Sequence, residues 1–402
     1  MSQGEQVGTL WAWMLSRGVH IHFAHRTFSW SNEARGKAAV HCVIVGFGLH
    51  DAPNKTIYEY EDIRGQAHPI AASHINPYLI DAPDVLLPSR TETPSHLPPL
   101  KKGSQPTDGG HLILTDEERI ELLDAEPAAA PWLRAYVGGE ELINGGHRWC
   151  LWLKNISPAQ LKSMPRTMKR VAAVAEARRQ SPTRSVVDFA DQPTLFTQDR
   201  QPAENYLAIP EVSSETRRFI PMGFLPPTII ASNKLQIAEG ATLYHFGVLS
   251  STMHNAWIRV VCGRLKSDYS YSPSVYNNFP WPDIPQESEP NQPTALGGLK
   301  SEAQAAIETA ARGVLDARAQ FPDSSLADLY DPLTMPPALL KAHQKLDAAV
   351  DKSYQLCGGR KSYASDAERV AFLFERYQQL TSLLPAARVS KPRSVSRKLQ
   401  KP

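Results

Sequence analysis

Two apolar segments near the start of the chain restrict its fold more than any other feature. Residues 19–23 alternate apolar side chains with histidine, which predicts a half-buried strand, and residues 38–47 are almost all apolar, which predicts a strand buried on both faces. A two-stranded hairpin cannot cover a strand of the second kind, so a larger sheet is required beside it. Either later strands supply that sheet, or the other strands belong to a part of the domain that this chain lacks. We expect the second arrangement.

The rest of the 402 residues divides into segments with different patterns. Residues 90–110 are rich in Pro, Ser, Thr and Gly, which predicts a linker or a long surface loop. Thr115 and Glu118 predict a capping box at a helix start, and a basic helix is expected over residues 158–179, kinked at Pro165. Short strands follow to about residue 243, and residues 285–298 read as a polar linker. Helices are then expected over residues 303–319, 337–354 and 366–384, so the sequence predicts an α+β protein.

Composition excludes several classes of protein. No apolar run is long enough to span a bilayer and no signal peptide is evident, so we expect a cytoplasmic protein without a membrane partner. The four cysteines are far apart, which argues against a zinc site or a disulfide framework: Cys42, Cys150, Cys262 and Cys357. The net charge is only +2, but local basic clusters can bind phosphate even in a nearly neutral chain. The alternative is that these clusters are solvated surface charge.

Long stretches of the chain resemble one family. They cover residues 3–7, 22–28, 36–47, 144–152, 220–225, 267–272, 275–282, 329–332, 335–336 and 342–351. These stretches resemble restriction–modification enzymes typified by MmeI. Such enzymes are single chains with a nuclease domain, a helical connector, an adenine-N6 methyltransferase domain, a target-recognition domain and a helical tail. The resemblance begins within the methyltransferase domain and covers nearly the whole chain.

The resemblance implies four segments. Residues 1–90 resemble the C-terminal remnant of a class I (Rossmann-like) adenine-N6 DNA methyltransferase sheet, and residues 91–285 a mixed α/β DNA target-recognition domain. Residues 286–387 resemble the C-terminal helical domain, and residues 388–402 are expected to be a basic disordered tail. The opening strands, without the rest of their sheet, would be poorly covered. We therefore expect low solubility.

The catalytic motifs of the family are not found in this sequence. The family holds S-adenosylmethionine at a glycine-rich turn and the target amine with an Asn/Asp-Pro-Pro-aromatic loop. Here the Pro-Pro pairs fall at residues 98–99, 226–227 and 336–337, and none has that context. We therefore expect no catalytic residue, no bound cofactor and no methyl transfer by this chain alone. The resemblance also gives no metal-binding role to His20, His22, His25 or His41, so no metal site is expected.

Two sets of residues are candidates for contact with double-stranded DNA. Phe28 and Trp30 fall in the connection that lies near the flipped base in the family, where an aromatic face can stack on an adenine. The alternative is that both are core aromatics.

Side chains able to read base edges or hold phosphates form the second set. It comprises Arg134, Asn144, Arg148, Arg217, Arg218, Asn233, Lys234, Arg264, Lys266, Ser267, Asp268, Tyr269 and Tyr271. The alternative is that Tyr269 and Tyr271 are packing residues and that Arg148 is a structural ion-pair partner.

Three functions are compatible with these features. The principal hypothesis is a truncated or split methyltransferase that keeps sequence-specific DNA recognition and needs its missing N-terminal catalytic half. The alternative is a free-standing specificity subunit that docks on a separate methyltransferase chain through the exposed edge of the opening hairpin. The third is an interaction protein whose DNA-binding surface has eroded, which would bind DNA weakly and without sequence preference.

Overall fold

The computed structural model describes residues 2–30, 40–93, 97–283 and 295–382. The basic tail expected from residue 388 lies outside the described residues, as do residues 285–294 of the predicted polar linker. The remaining linker residues, 295–298, are helical.

Residues 2–93 form one helix and one small sheet. The elements are α1 (Gln6–Leu15), β1 (His20–Trp30), β2 (Val40–Gly48), β3 (Lys55–Glu59) and β4 (His68–Ala72). The strand order is β2-β1-β3-β4, and β1 runs antiparallel to β2 and parallel to β3. The sequence analysis missed β3 and β4. Later strands therefore do extend the opening hairpin, and β2 lies at an edge of this sheet in the described part of the chain.

A bulge in β1 changes where the predicted aromatic residues lie. His25 pairs with Ile44 and Phe28 pairs with Cys42, so Arg26 and Thr27 together oppose a single residue of β2. An extra residue shifts the alternation of a strand, which allows side chains three positions apart to share one face. The sequence analysis placed Phe28 and Trp30 in a loop, and this was wrong. Both lie on β1, which is 11 residues long.

Strand β2 is less buried than its sequence predicts. None of its described side chains is fully buried, and Ile44 and Phe47 are 40% and 53% exposed. The prediction of a strand buried on both faces was wrong, because the elements packed on the sheet in the described part of the chain cover the faces of β2 only in part. An apolar strand with a free edge is a surface that another polypeptide can cover.

Residues 97–283 fold into short helices around three small sheets. Their orders are β12-β7-β8-β6, β11-β9-β13-β5 and β10-β15-β14. The strands are β5 (Lys101–Lys102), β6 (Ile113–Leu114), β7 (Leu133–Val137), β8 (Arg148–Leu151), β9 (Tyr206–Pro210), β10 (Val212–Ser213), β11 (Gly223–Leu225), β12 (Ile230–Ala231), β13 (Leu235–Glu239), β14 (Gly263–Leu265) and β15 (Asp268–Ser270). The helices are α2 (Asp116–Ala125), α3 (Gly139–Asn144), α4 (Pro158–Lys162), α5 (Pro165–Arg179), α6 (Arg184–Val187), α7 (Leu243–Leu249), α8 (Thr252–Val261) and α9 (Pro273–Asn277), with a 3-10 helix at Pro127–Trp132.

Local signals in this region are confirmed. The Thr115 hydroxyl accepts from the Glu118 amide at 3.3 Å, and the Glu118 carboxylate accepts from the Thr115 amide at 3.0 Å, which is the predicted capping box. The basic helix predicted over residues 158–179 is interrupted before Pro165, giving α4 and α5. A proline lacks the amide hydrogen that a continuous helix requires there.

The described residues of the predicted linker, 90–93 and 97–110, are packed against the rest of the protein. Leu100, Ser104 and Asp108 are buried, and the Tyr276 hydroxyl donates to the Pro98 carbonyl at 2.8 Å. The Asn277 amide donates to the Arg90 carbonyl at 2.8 Å. Its composition suggested a solvated loop, but its backbone polar groups find partners in distant parts of the chain, which allows burial.

A fully buried arginine organises this packed segment. Arg178, near the end of α5, is only 1% exposed. Its guanidinium donates to five carbonyls at 2.7–3.2 Å: those of Pro106, Thr107, Phe189, Gln192 and Leu195. An arginine side chain has five N–H donors, so every donor is used. One side chain thereby joins the segment before β6 to the segment after α6.

Residues 295–382 form four helices that pack on the preceding region. They are α10 (Ala295–Ala319), α11 (Leu326–Leu329), α12 (Pro337–Gln355) and α13 (Asp366–Ser382). Helix α10 packs on α7 and α12, and α13 packs on α8. The close approach of α10 to α7 depends on Gly247, because a Cβ there would lie 2.7 Å from the Ile307 side chain. In the parts of the chain that the structure describes, no helix is both long and apolar enough to cross a membrane.

A single hydrophobic cluster runs through all three regions. It contains Val7 and Trp11 of α1, Trp257 of α8 and Phe374 of α13, all at most 3% exposed. Two smaller clusters lie entirely within residues 97–283. The three regions therefore share most of their core.

Buried polar contacts fix the helical region against its neighbours. The Tyr330 hydroxyl accepts from the Arg318 Nε at 2.8 Å and lies 2.8 Å from the His343 Nε2. Arg318 also donates to the Met222 carbonyl at 2.7 Å. Burial, together with the nearby Arg318 charge, lowers the pKa of His343 to about 3. Burial likewise lowers the pKa of His254, whose Nε2 lies 3.1 Å from the Tyr271 hydroxyl, to about 3.

These two histidines predict a loss of stability in acid. Their folded-state pKa lies below the ordinary value of 6.5, so the unfolded chain binds protons first as the pH falls. The contribution of these histidines to the free energy of unfolding is fully present above pH 6.5. Below it, each histidine lowers the free energy of unfolding by about 1.4 kcal/mol per pH unit until its folded pKa is reached. Denaturant unfolding at pH 7, 6 and 5 measures this slope. The double variant His254→Gln/His343→Gln should have a smaller dependence of the free energy of unfolding on pH. An unchanged slope would contradict the assignment of this dependence to the two histidines.

Replacement of the buried arginine should be strongly destabilising. Arg178→Lys keeps the charge but leaves at least two buried carbonyls without a donor, so we expect a loss of about 3 kcal/mol or more. The matched control is Arg184→Lys, at a side chain 87% exposed and paired with Asp188, which should change stability by less than about 0.5 kcal/mol. Urea unfolding followed by circular dichroism gives both values. A loss below about 1 kcal/mol for Arg178→Lys would show that the carbonyls find other donors.

Candidate nucleic-acid interface

An open groove of about 420 Å³ lies beside α3. It is hereafter the α3 groove, and its lining consists of Gly139, Glu140, Ile143, Asn144, Glu211, Val212, Arg217 and Lys234. Three of the sequence-predicted DNA-binding residues, Asn144, Arg217 and Lys234, therefore come together. Asn144 is the exposed last residue of α3, and Lys234 lies in the turn between β12 and β13. Asn233 precedes Lys234 in that turn and is half-buried.

A carboxylate that the sequence analysis missed lies between two lysines of this surface. The Glu211 side chain is 17% exposed, and its oxygens lie 2.7 Å from the Lys102 Nζ and 3.5 Å from the Lys234 Nζ. Lys102 and Glu211 are separated by 109 positions in the chain. No local pattern marks Glu211, because the folded sheet creates its environment.

Arg217 is a cation without a direct partner. Its guanidinium is half-buried and makes no hydrogen bond or ion pair with any residue in the described ranges. Burial lowers the pKa of Arg217, while the carboxylates of Asp268 and Asp331 act against that shift. An arginine in this state remains protonated. It therefore presents to the α3 groove a positive charge that has no hydrogen-bonded partner among the described residues.

The β14–β15 turn brings a second group of predicted residues to the surface. Lys266 and Ser267 connect the two strands, and Lys266 is exposed with a φ of 57°. The left-handed backbone at Lys266 reverses the chain in two residues, as short hairpins require. Asp268 follows, and its charge acts on Arg217. The turn is therefore close enough to the α3 groove for its Asp268 charge to act on Arg217.

Three predicted arginines are committed to contacts within the protein. Arg134 donates to the carbonyls of Pro131 and Leu133 at 2.9 and 3.0 Å. The Arg148 Nε lies 2.6 Å from the Glu141 carboxylate, an arrangement that agrees with the ion-pair interpretation of this residue.

Arg264 is similarly occupied. It donates to the Glu215 carboxylate at 2.8 Å and to the Ser267 carbonyl at 2.7 Å, so it supports the β14–β15 turn from below. Arg218 is exposed, but its guanidinium lies over the Phe219 ring, with 5.3 Å to the ring centroid. Arg218 is outside the lining of the α3 groove.

The two predicted tyrosines lie in the core. Tyr269 and Tyr271 are 7% and 1% exposed. The Tyr271 hydroxyl is occupied by His254, and the Arg264 guanidinium lies 4.6 Å from the Tyr269 ring centroid. Neither ring is available to DNA in this structure. Tyr271 packs on His254 of α8, and Tyr269 packs against Arg264.

A row of aromatic side chains covers one face of the first sheet. It is hereafter the aromatic face, formed by Phe23, His25, Phe28, Trp30, Tyr58 and Tyr60. His25 stacks on Tyr58 with 4.2 Å between ring centroids, and Phe28 stacks on Tyr60 with 5.3 Å. The Trp30 side chain is 51% exposed. The bulge in β1 makes this row continuous by turning His25 and Phe28 to the same side.

The row extends toward the other end of β1. Phe23 is 40% exposed and lies over Gly46, where a Cβ would be 2.0 Å from its ring. The His25 Nδ1 lies 2.8 Å from the Tyr60 hydroxyl, and burial lowers the pKa of His25. His25 is therefore neutral near pH 7. The sequence analysis found Phe28 and Trp30 but missed Tyr58 and Tyr60, which a later strand and its following loop supply.

A cofactor pocket of the nucleotide-binding kind uses a glycine-rich turn between a strand and the start of a helix. In residues 40–93, each strand is followed by another strand or by a loop without a helix.

Comparisons with known families identify the three regions. Residues 1–59 match the family description "MmeI, DNA-methyltransferase domain" and residues 81–283 match "MmeI, target recognition domain". Residues 299–385 match "MmeI, C-terminal domain". The α3 groove and the β14–β15 turn lie within the second match.

Individual relatives agree with this result. A curated relative, DNA methyltransferase A of Bacillus subtilis (strain 168), is 36% identical over 383 residues, which is 95% of this chain and 41% of that protein. A solved structure of the type IIL restriction–modification enzyme MmeI in complex with DNA is 48% identical, with a TM-score of 0.85, and the match covers 95% of this chain and 48% of the other. The chain thus spans less than half the length of these two relatives. It belongs to the MmeI family and contains the target recognition domain, the C-terminal domain and part of the methyltransferase domain.

Proposed function

We propose that this chain reads the recognition sequence for a site-specific adenine-N6 DNA methyltransferase of a restriction–modification system. The observation that carries the proposal is the convergence of Asn144, Arg217 and Lys234 in one groove of the region that matches a target recognition domain. These residues come from three separate parts of the chain. Each type has hydrogen-bonding groups that suit base edges or phosphates.

The chemistry of the α3 groove and of the β14–β15 turn suits the reading of several bases. Arg217 and Lys266 can donate to the O6 and N7 of guanine, and Asn144 can bond in two places to adenine. Glu211 and Asp268 can accept from the N4 of cytosine. Lys102 and Lys234 compensate Glu211 in the absence of DNA. A base that displaces one lysine can donate a hydrogen bond to the Glu211 carboxylate. The displaced lysine is then free to contact a phosphate or a second base.

The aromatic face supports a role for Phe28 and Trp30 beside an extruded adenine. Methylation of an exocyclic amine requires the base to leave the duplex, and aromatic rings supply a surface on which it can stack. Trp30 is the more exposed of the two. Phe28 has one face on Tyr60 and so holds the row in place. The contribution of this chain is positioning, since the sequence lacks the loop that holds the amine in the family.

The catalytic centre would be completed by a polypeptide that packs on β2. Among the described residues, eleven large hydrophobic side chains are more than a third exposed, and three of them lie on β2 or directly after it: Ile44, Phe47 and Leu49. Such a concentration marks a surface that a partner covers. The N-terminal half of a methyltransferase would extend the sheet from the free edge of β2 and supply the S-adenosylmethionine site.

A separate methyltransferase chain is the second candidate for that partner. The same edge and the same apolar side chains would serve a free-standing specificity subunit. Covalent continuity is the one difference between the two arrangements. Sequencing upstream of the codon for Met1 separates them, because a catalytic half joined in frame or by a frameshift supports the first and an intact separate gene supports the second.

Selection from a pool of random duplex DNA tests recognition. We expect one enriched motif and an affinity that falls steeply with salt. Arg217→Ala should relax one position of the motif, at a cost of about 1–3 kcal/mol for the preferred base. Arg179→Ala, at an exposed residue paired with Glu176, is the control and should leave the motif unchanged. Salt-sensitive binding without any motif would count against sequence reading and favour an eroded surface.

Methyl transfer tests the need for a catalytic partner. The purified chain should transfer no methyl group from S-adenosylmethionine to a duplex with the selected motif, whereas a chimera preceded by the catalytic portion of MmeI should do so. Phe47→Lys should abolish the activity of the chimera because this ring would be buried by the added sheet. Leu333→Lys is the control, since Leu333 is 94% exposed on the helical region. Methylation by the chain alone would overturn the proposal.

A further inference from the structure

Three cations without partners lie at the corner between α4 and α5. Lys162 ends α4, and Arg166 and Lys169 lie on the first turns of α5. All three side chains are exposed, and none makes a hydrogen bond or an ion pair with a residue of the described ranges. These three residues are hereafter the basic corner. None of them is among the DNA-binding residues predicted from sequence.

Four other cations of the same domain have a carboxylate partner. Arg170 pairs with Glu118 at 2.9 Å and Arg184 pairs with Asp188 at 2.9 Å. Lys154 pairs with Asp199 at 2.6 Å and Arg179 pairs with Glu176 at 3.6 Å. The basic corner therefore brings together three cationic side chains that form no ion pair with a carboxylate of the described residues. Such a site attracts an anionic ligand.

The corner is rigid. Ser157 caps α4 in a capping box with Gln160. At the start of α5, the buried Glu126 carboxylate accepts from the Arg166 and Thr167 amides and from the Thr167 hydroxyl. The helix amides are thus satisfied by the protein itself. Only the three cationic side chains remain for an external ligand, and they are held on a fixed scaffold.

The far end of α5 links this corner to the α3 groove. Arg178 bonds to Pro106 and Thr107, close in the chain to Ser104, which forms a β-bridge with Ser232 in the turn that carries Lys234. Arg166 lies about 18 Å up the helix from Arg178, at 1.5 Å per residue. The basic corner therefore lies at the end of α5 away from the groove.

We propose that the basic corner binds the phosphate backbone of duplex DNA that flanks the sequence read in the α3 groove. Arg166 and Lys169 lie three residues apart on α5, a rise of about 4.5 Å, and Lys162 lies across the break between the two helices. Phosphates follow each other about every 3.4 Å of helix axis along one DNA strand, so neighbouring phosphates can meet these side chains. Lysine and arginine side chains grip phosphates without reading sequence. This inference rests on the proposed function. It adds a second, sequence-independent contact that lengthens the DNA footprint.

The test compares two triple variants with the same change in net charge. One is Lys162→Ala/Arg166→Ala/Lys169→Ala, and the control is Lys154→Ala/Arg179→Ala/Arg184→Ala, which removes three compensated cations of the same domain. Affinity for a duplex bearing the selected motif is measured across a salt series. One probe carries long flanks and another ends at the motif. Circular dichroism verifies that each variant is folded.

For the basic-corner variant we expect the slope of log affinity against log salt to be shallower by about 2–3 on the long probe, because each lost phosphate contact lowers the slope by about 0.9. The enriched motif should not change, and on the short probe the variant should match the unaltered chain. The control variant should keep most of the original slope on both probes.

Each other outcome overturns the inference. Equal slopes for the two triple variants would assign the effect to overall charge. A changed motif would make the basic corner a base reader. An equal loss on both probes would place its contacts inside the motif. If the basic-corner variant keeps both the motif and the salt slope of the unaltered chain, the inference fails and the proposed function stands. If the unaltered chain binds no DNA, both the inference and the proposed function fail.

Discussion

The arrangement of residues 97–283 depends on one buried cation, the guanidinium of Arg178. The Arg178 guanidinium lies among five carbonyls that belong to segments without regular secondary structure. A buried charge is tolerated only when its donors are fully used, so these segments have little freedom to move independently. One of them continues through Ser104 and its β-bridge to the turn that carries Lys234. The position of a surface lysine is thus fixed by a guanidinium at the centre of the domain.

The protein uses its charged residues in two ways. Arg134, Arg148 and Arg264 hold turns and strands in place through carbonyls and carboxylates. Arg217 and the cations of the basic corner have no such partner among the described residues. The basic residue types are the same in both groups. Only the fold distinguishes a cation that maintains the structure from one that is available to DNA.

The sequence predicted local features well and burial poorly. The Thr115 capping box and the interruption before Pro165 depend on residues a few positions apart, so they could be recognised directly. The burial of β2 depends on which elements pack on its faces, and its sequence alone suggested more cover than the fold provides. The position of Phe28 depended on a bulge that alternation patterns do not reveal.

The candidate site was predicted in part for the same reason. Asn144, Arg217 and Lys234 were found by residue type, and the structure brings them together. Glu211 was missed because its two lysine partners are distant in the chain. Tyr271 was included because of its chemistry, although the fold places its ring in the core. Residue type indicates which side chains are able to contact DNA, but three-dimensional packing decides which of them reach the surface.

The continuous hydrophobic cluster has a consequence for how such proteins diversify. Three family descriptions match three consecutive stretches, yet Val7, Trp257 and Phe374 contribute to the same core. A recombination event at either boundary would join two half-cores with separate histories. Exchange of the recognition stretch between relatives would succeed only where the partner surfaces are inherited with it. The segment that must be inherited together is therefore longer than the segment that one family description matches. New specificities would arise more readily by point substitution at the surface.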